Sequence, residues 1–155
     1  TVDEVLAVTF PDAEMHRESV FLTADQVSAV ERSTSDRPHS ALVTRFRADR
    51  EGATVGWAYL DTHRVRTLPE TLVVLIDPDG AIIAIEVVAF REPPDYLPPG
   101  SWYRQFDGRR LDEDLQLKRG IRPITGATLT ARATTTATRR VLAIHTILEP
   151  DGGDR

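Results

Sequence analysis

Residues 71–90 read TLVVLIDPDGAIIAIEVVAF. Two runs rich in β-branched residues flank Asp77-Pro78-Asp79-Gly80. Pro78 presets its own φ and Gly80 is free to take a positive one, so the four residues specify a tight turn. The flanking runs then read as the two strands of a hairpin. Nearly every residue in both runs is apolar, which predicts strands at the centre of a sheet and covered on both faces. A lone hairpin is marginal in water, so the neighbouring sequence has to supply further strands and a cover.

Working upstream, LVTRFRA (42–48) alternates apolar and polar residues with period two, as a strand with one wet face does. DREG (49–52) supplies a turn and ATVGWAYL (53–60) the return strand, so a second hairpin precedes the first. Further upstream, FLTADQVSAVERS (21–33) opens with a capping-box pattern, Thr23 followed three residues later by Gln26. It reads as a helix with Val27 and Val30 on its apolar edge, ending in the polar loop STSDRPHS (33–40). TVDEVLAVTFP (1–11) reads as a short helix stopped by Pro11, and HRESVFLTADQ (16–26) as a cover over one sheet edge.

Downstream, REPPDYLPPG (91–100) is rigid, SWYRQF (101–106) is a short helical piece, and DGRRLDEDLQLKRG (107–120) is a charged connection. A final helix is expected from about Thr128 to Leu148. Leu129, Ala133, Ala137, Val141, Ile144 and Leu148 recur at three- and four-residue spacing and predict its apolar stripe. The expected fold is therefore α+β, an antiparallel or mixed sheet of two hairpins with a long C-terminal helix packed on one face.

Composition narrows the function classes. At 155 residues the chain is the length of one domain, with an ordinary 41% of hydrophobic and 28% of charged residues. A net charge of −5 argues against a nucleic-acid surface, which needs a basic footprint. Without cysteine there is no disulfide, thiolate metal site or cysteine nucleophile. No run of 18 apolar residues occurs, and the chain begins at Thr1 without a visible leader. Nucleophile-elbow, Walker A, dinucleotide and zincin motifs are missing. His16, His39, His63 and His145 are scattered and read as surface or structural residues, and Asp112-Glu113-Asp114 as a solvated loop.

One stretch remains for chemistry: ITGATLTARATTTATRR (124–140), with seven threonines and no acid. Threonine is a mediocre helix former, yet this segment leads the final helix. Backbone N–H groups at a helix start lack partners and the helix dipole favours an anion there. Gly126 and Ala127 allow close approach, Thr125, Thr128 and Thr130 bring hydroxyls, and Lys118, Arg119, Arg122 and Arg132 supply positive charge. These features describe a phosphate site. The plain alternative is that Thr125 caps the helix and its neighbours are incidental.

The string TGATLT, after a loop and before a helix of small residues, resembles the FMN-binding domain family. That family includes the flavin-carrying subunits of sodium-translocating NADH:quinone reductase and of the related Rnf electron-transport complexes. Its signature is Asp-x-x-(Ser/Thr)-Gly-Ala-Thr, and its last threonine carries FMN as a phosphoester installed from FAD by a Mg²⁺-dependent flavin transferase. Here Thr125, Gly126 and Ala127 match and Thr128 takes the acceptor position, while Arg122 stands where the family keeps its aspartate. The family's Glu-Thr-Pro-Gly-like flavin loop is matched by Glu92 and Pro94, with Pro93 replacing the threonine.

The resemblance covers about residues 54–148 and leaves 1–53, the N-terminal helices and first strand, unexplained. It implies an FMN-carrying electron-transfer domain rather than a stand-alone enzyme, with FMN bound covalently at Thr128, or noncovalently. The implied contacts are Thr125, Gly126, Ala127, Thr128, Leu129, Thr130, Glu92, Pro94, Tyr96 and Arg122, with Tyr96 and Trp102 available to stack on the ring. The implied partners are a flavin transferase and the redox proteins of a membrane electron-transport chain, with no nucleic acid. The implied location is extracytoplasmic or periplasmic and membrane-associated. The alternatives are a cofactor-free binding or structural module of the same fold, or a noncovalent FMN oxidoreductase acting on its own substrate.

Overall fold

A computed structural model describes residues 1–150. The elements in order are α1 (Val2–Thr9), β1 (Glu14–Phe21), α2 (Ala24–Thr34), β2 (Leu42–Arg50), β3 (Ala53–Arg64), β4 (Pro69–Ile76) and β5 (Ile82–Phe90). A 3₁₀ turn (Pro94–Tyr96), α3 (Gly100–Tyr103), a second 3₁₀ turn (Arg104–Phe106) and α4 (Thr128–Leu148) follow. The strands pair in sequence order as one five-stranded antiparallel meander. The fold is α+β, with the long C-terminal helix on one face of the sheet.

Turn chemistry sets the strand connections. Asp77 Oδ1 accepts from the backbone N–H groups of Asp79 (2.9 Å) and Ala81 (3.0 Å), and Gly80 takes φ +90°. In the β2–β3 turn Glu51 and Gly52 both have positive φ, the tight hairpin geometry that follows strand twist. At Gly56 the constraint is space, because a Cβ would collide with the Phe10 ring and the Ile76 carbonyl.

The sheet separates two apolar clusters. On one face Val43, Trp57, Tyr59, Leu72, Val74, Ile76, Ile82 and Ile85 meet α2, α3 and α4. On the other, Ala48, Ala58, Val73 and Leu75 meet Leu6 and Phe10 around α1. The capping boxes at Thr1/Glu4 and Thr23/Gln26 start α1 and α2. Among the described residues no helix is long and apolar enough to cross a membrane.

Three expectations change. The segment 14–21 is a strand, β1, hydrogen-bonded to β2, rather than a cover over the sheet edge. Exposure alternates along it, with Arg17, Ser19 and Phe21 exposed, but the half-buried positions include His16 and Glu18 and the exposed ones Phe21, so hydropathy does not alternate with it. Of the two runs predicted to be central, β4 is an inner strand buried on both faces, whereas β5 is an edge strand with Glu86 and Ala89 exposed. The predicted stripe of α4 holds at Ala137, Val141 and Ile144, which are buried, and fails in the first turns of the helix. Leu129 is 42% exposed and Ala133 half-buried, whereas Thr130, Ala131, Thr134, Thr135, Ala137 and Thr138 are buried.

Those threonines tolerate burial because all four hydroxyls are satisfied, two of them within the helix. Thr135 donates to the Ala131 carbonyl at 2.7 Å and Thr138 to the Thr134 carbonyl at 2.8 Å. With the hydroxyl bonded, what remains is a small side chain that lets α4 lie close to the sheet.

Candidate functional site

Helix α4 starts at Thr128, and its N-cap is Ala127, whose side chain cannot cap. The expectation that Thr125 caps the helix is therefore corrected: Thr125 lies on the preceding turn, exposed and without a side-chain cap bond. Gly126 holds φ +85°, the left-handed region, with open space where a Cβ would project. Ala131 is the first residue of the helix to donate inward, to the Ala127 carbonyl at 2.9 Å. Among the described residues the backbone N–H groups of Thr128, Leu129 and Thr130 have no protein acceptor, and neither has the exposed Thr128 hydroxyl a partner. Bare donors, the positive end of a 21-residue helix and no acid in its first turn together make an anion-receptive end.

The second predicted segment lies against this end. Thr130 Oγ1 donates to the Tyr96 carbonyl at 2.5 Å, tying the 3₁₀ turn Pro94–Tyr96 to the first turn of α4. Glu92 anchors a third segment. Its Oε1 accepts from the backbone N–H groups of Thr67 and Leu68, each at 2.8 Å, and fixes the loop between β3 and β4. These N–H groups, Thr67 first, hold the Glu92 carboxyl below the usual carboxylate range. Arg66 on the same loop reaches the Tyr96 hydroxyl at 3.4 Å. Loops 65–68 and 92–97 and the start of α4 thus form one surface, on which Leu68, Leu97 and Leu129 are exposed.

Arg122 is held by its backbone. Its carbonyl accepts from Trp102 Nε1 at 2.6 Å and its N–H donates to Gln105 Oε1 at 2.7 Å, leaving an exposed guanidinium without a protein partner among the described residues. Trp102 itself is buried against Tyr103 and Phe106, so it is a core aromatic and not a surface for stacking. Tyr96 is half-buried at the site, with its hydroxyl facing Arg66.

Beneath this surface lies a cluster that sequence reasoning missed. His63 and Glu70 are direct cross-strand partners on β3 and β4, and Asp61 lies two residues before His63 on the same face. His63 Nδ1 is 2.9 Å from Asp61 Oδ1 and its Nε2 is 2.7 Å from Glu70 Oε1. From α4, Thr134 donates to Glu70 Oε1 at 3.0 Å, and Arg140 donates to both Asp61 oxygens at 3.0 Å and to Asp36 at 2.9 Å.

Burial opposes charge on His63, but its bonds to Asp61 and Glu70 outweigh burial and lift its pKa to about 9. Burial likewise opposes charge on Asp61, and His63 and Arg140 overcome it, so its carboxyl lies below the usual range. Glu70 Oε2 and the Tyr103 hydroxyl stay buried without a protein partner. A periodicity argument has no access to this cluster, since it exists only through cross-strand register and helix placement.

The family model of the FMN-binding domain matches residues 69–143, from the start of β4 into α4. No curated protein matches the chain.

Proposed function

With residues 69–143 belonging to the FMN-binding domain family, we propose that this chain is an electron-transfer domain holding FMN by its phosphate at the start of α4, esterified to Thr128. The observation that carries the reading is the unpaired N–H row of Thr128, Leu129 and Thr130, beside a free Thr128 hydroxyl and against the Glu92–Tyr96 loop. FMN bound there supplies one- and two-electron transfer. The chain supplies position and surroundings. The N–H row receives phosphate oxygens, Gly126 lets the backbone come close, and the Arg122 guanidinium offsets phosphate charge. Leu68, Leu97, Leu129 and Tyr96 offer an apolar rim for a flat ring, and Glu92 and Thr130 keep the two loops in place.

The reading carries with it a flavin transferase for maturation, redox partners of a membrane chain and an extracytoplasmic location. The free Arg122 guanidinium, where the family keeps an acid, favours a second version in which FMN is held noncovalently by the same groups.

Intact mass after co-expression with a flavin transferase tests the covalent form. An FMN phosphoester increment is expected in the wild type and is lost in Thr128→Val, whose exposed position leaves stability within about 0.5 kcal/mol. No increment in the wild type sinks covalent attachment. Yellow colour released into the supernatant by acid then identifies the noncovalent form, and a colourless protein that ignores added FMN overturns both.

A further inference from the structure

Away from the α4 start, a groove of about 460 Å³ runs between the flank of α4, the end of α2 and the loop at 116–117. Its α4 wall presents Arg132 and Arg139, seven residues or two turns apart, with Thr136 between them. Ser35 and Asp36, following α2, and Gln116 form the facing walls. The groove is polar on nearly every side and lies on the opposite side of Arg140 from the Asp61–His63–Glu70 cluster, because Arg140 bridges Asp36 and Asp61.

Three features single it out. First, Arg132 makes no hydrogen bond or ion pair among the described residues. Second, Arg139 is fixed but only partly compensated. Its Nη1 donates to the carbonyls of Asp112 (2.8 Å) and Leu115 (3.0 Å), it has no carboxylate partner within ion-pair distance, and burial lowers its pKa against a smaller opposing effect from Asp112. Third, the one carboxylate lining the groove, Asp36, is already engaged by Arg140 at 2.9 Å. Two guanidiniums on one wall of a concave site, one of them partly desolvated, are left without an anion in a chain whose net charge is −5. Guanidinium groups bind oxyanions through paired, charge-assisted hydrogen bonds, and the volume falls within the usual range for small-molecule sites.

We propose that this groove is a second ligand site, separate from the α4 start, which takes a small oxyanion metabolite of up to mononucleotide size. Arg132 and Arg139 bind its anionic group, and Thr136, Ser35 and Gln116 supply hydrogen bonds to its polar body. The site does not depend on the flavin reading.

Amide NMR titration of the full chain with inorganic phosphate, AMP, citrate and adenosine tests it. AMP or citrate is expected to shift resonances at 34–36, 116–117 and 132–139, and adenosine, which lacks the anion, is not. A stronger response to AMP identifies a phosphate ligand and a stronger response to citrate a carboxylate one. Arg132→Gln, at an exposed position that leaves folding intact, is expected to weaken binding about tenfold. Thr128→Val is expected to leave it unchanged. Shifts absent for every anion, or unchanged in Arg132→Gln, overturn the proposal. So does FMN competing with AMP for the same amides, which makes the groove part of the flavin site.

Discussion

Two histidines, His63 on β3 and His145 on α4, are both almost fully buried, and they hold different charge states. His63 sits between Asp61 and Glu70, with both ring nitrogens facing carboxylates, and is an imidazolium. His145 lies near the other end of the helix, where its Nδ1 is 2.7 Å from the Tyr59 hydroxyl, and that hydroxyl accepts from Arg45 at 3.0 Å. Burial first, then the Arg45 charge, lowers the His145 pKa to about 4, so its ring is neutral and Nδ1 accepts the Tyr59 proton. Arg45 in turn lies 4.2 Å from the Trp57 ring centroid and pairs with Glu18 and Glu149. Burial is nearly the same for the two rings, at 6% and 5% exposure, so it is the partners that decide the charge.

The largest test removes one partner from the charged cluster. His63→Ala leaves Glu70 and Asp61 facing each other without the cation between them, and a broken buried pair typically costs about 3–5 kcal/mol. Chemical denaturation at neutral pH reads this loss, and a change below about 1 kcal/mol would show that the pair contributes nothing net.

The pH profile separates the two histidines by sign. His63 binds its proton more tightly folded than unfolded. Its stabilisation is complete below the ordinary value of 6.5 and is lost as pH rises through about 9. His145 behaves in reverse: its stabilisation is present above 6.5 and fades as pH falls through about 4. Stability measured from pH 4 to 9.5 is expected to decline on both sides of a maximum near pH 6.5, with the alkaline decline missing in His63→Ala. An alkaline limb that persists in that variant would assign it to another group.

A smaller effect than that of His63→Ala is expected from Tyr59→Phe. It deprives the His145 Nδ1 of a donor and Arg45 of an acceptor while keeping the ring packing, at a cost of about 1–3 kcal/mol. His145 stays neutral in this variant, because burial and Arg45 remain. A His145 resonance titrating near 6.5 would show instead that the hydroxyl controls the ring.

Much of this architecture is legible along the chain. The Asp77–Gly80 turn, the two hairpins, the Thr23/Gln26 cap and the bounds of α4 follow from local rules, since turns, caps and periodicity depend on residues close in sequence. The candidate site is legible for a different reason: Thr125-Gly126-Ala127-Thr128 and Glu92-Pro93-Pro94 are short, ordered motifs. Their juxtaposition is not, because the bond from Thr130 to Tyr96 spans 34 residues. Nor does the sequence reveal that Trp102 is a core residue or that β1 exists, since both depend on what packs against them.

The threonines of α4 mark the division most clearly. Sequence alone placed a hydroxyl-rich, acid-free segment at the start of a 21-residue helix, because helix ends and residue types are local properties. Tertiary structure alone decided which hydroxyl does what. Thr128 faces solvent at the bare helix start, Thr130 ties down the Pro94–Tyr96 turn, Thr134 enters the His63–Glu70 cluster, and Thr135 and Thr138 fold back onto the helix. The physical reason is that a hydroxyl has no preferred partner of its own. Burial and the partners brought within reach, 64 residues away in sequence for Thr134 and 34 for Thr130, assign it one.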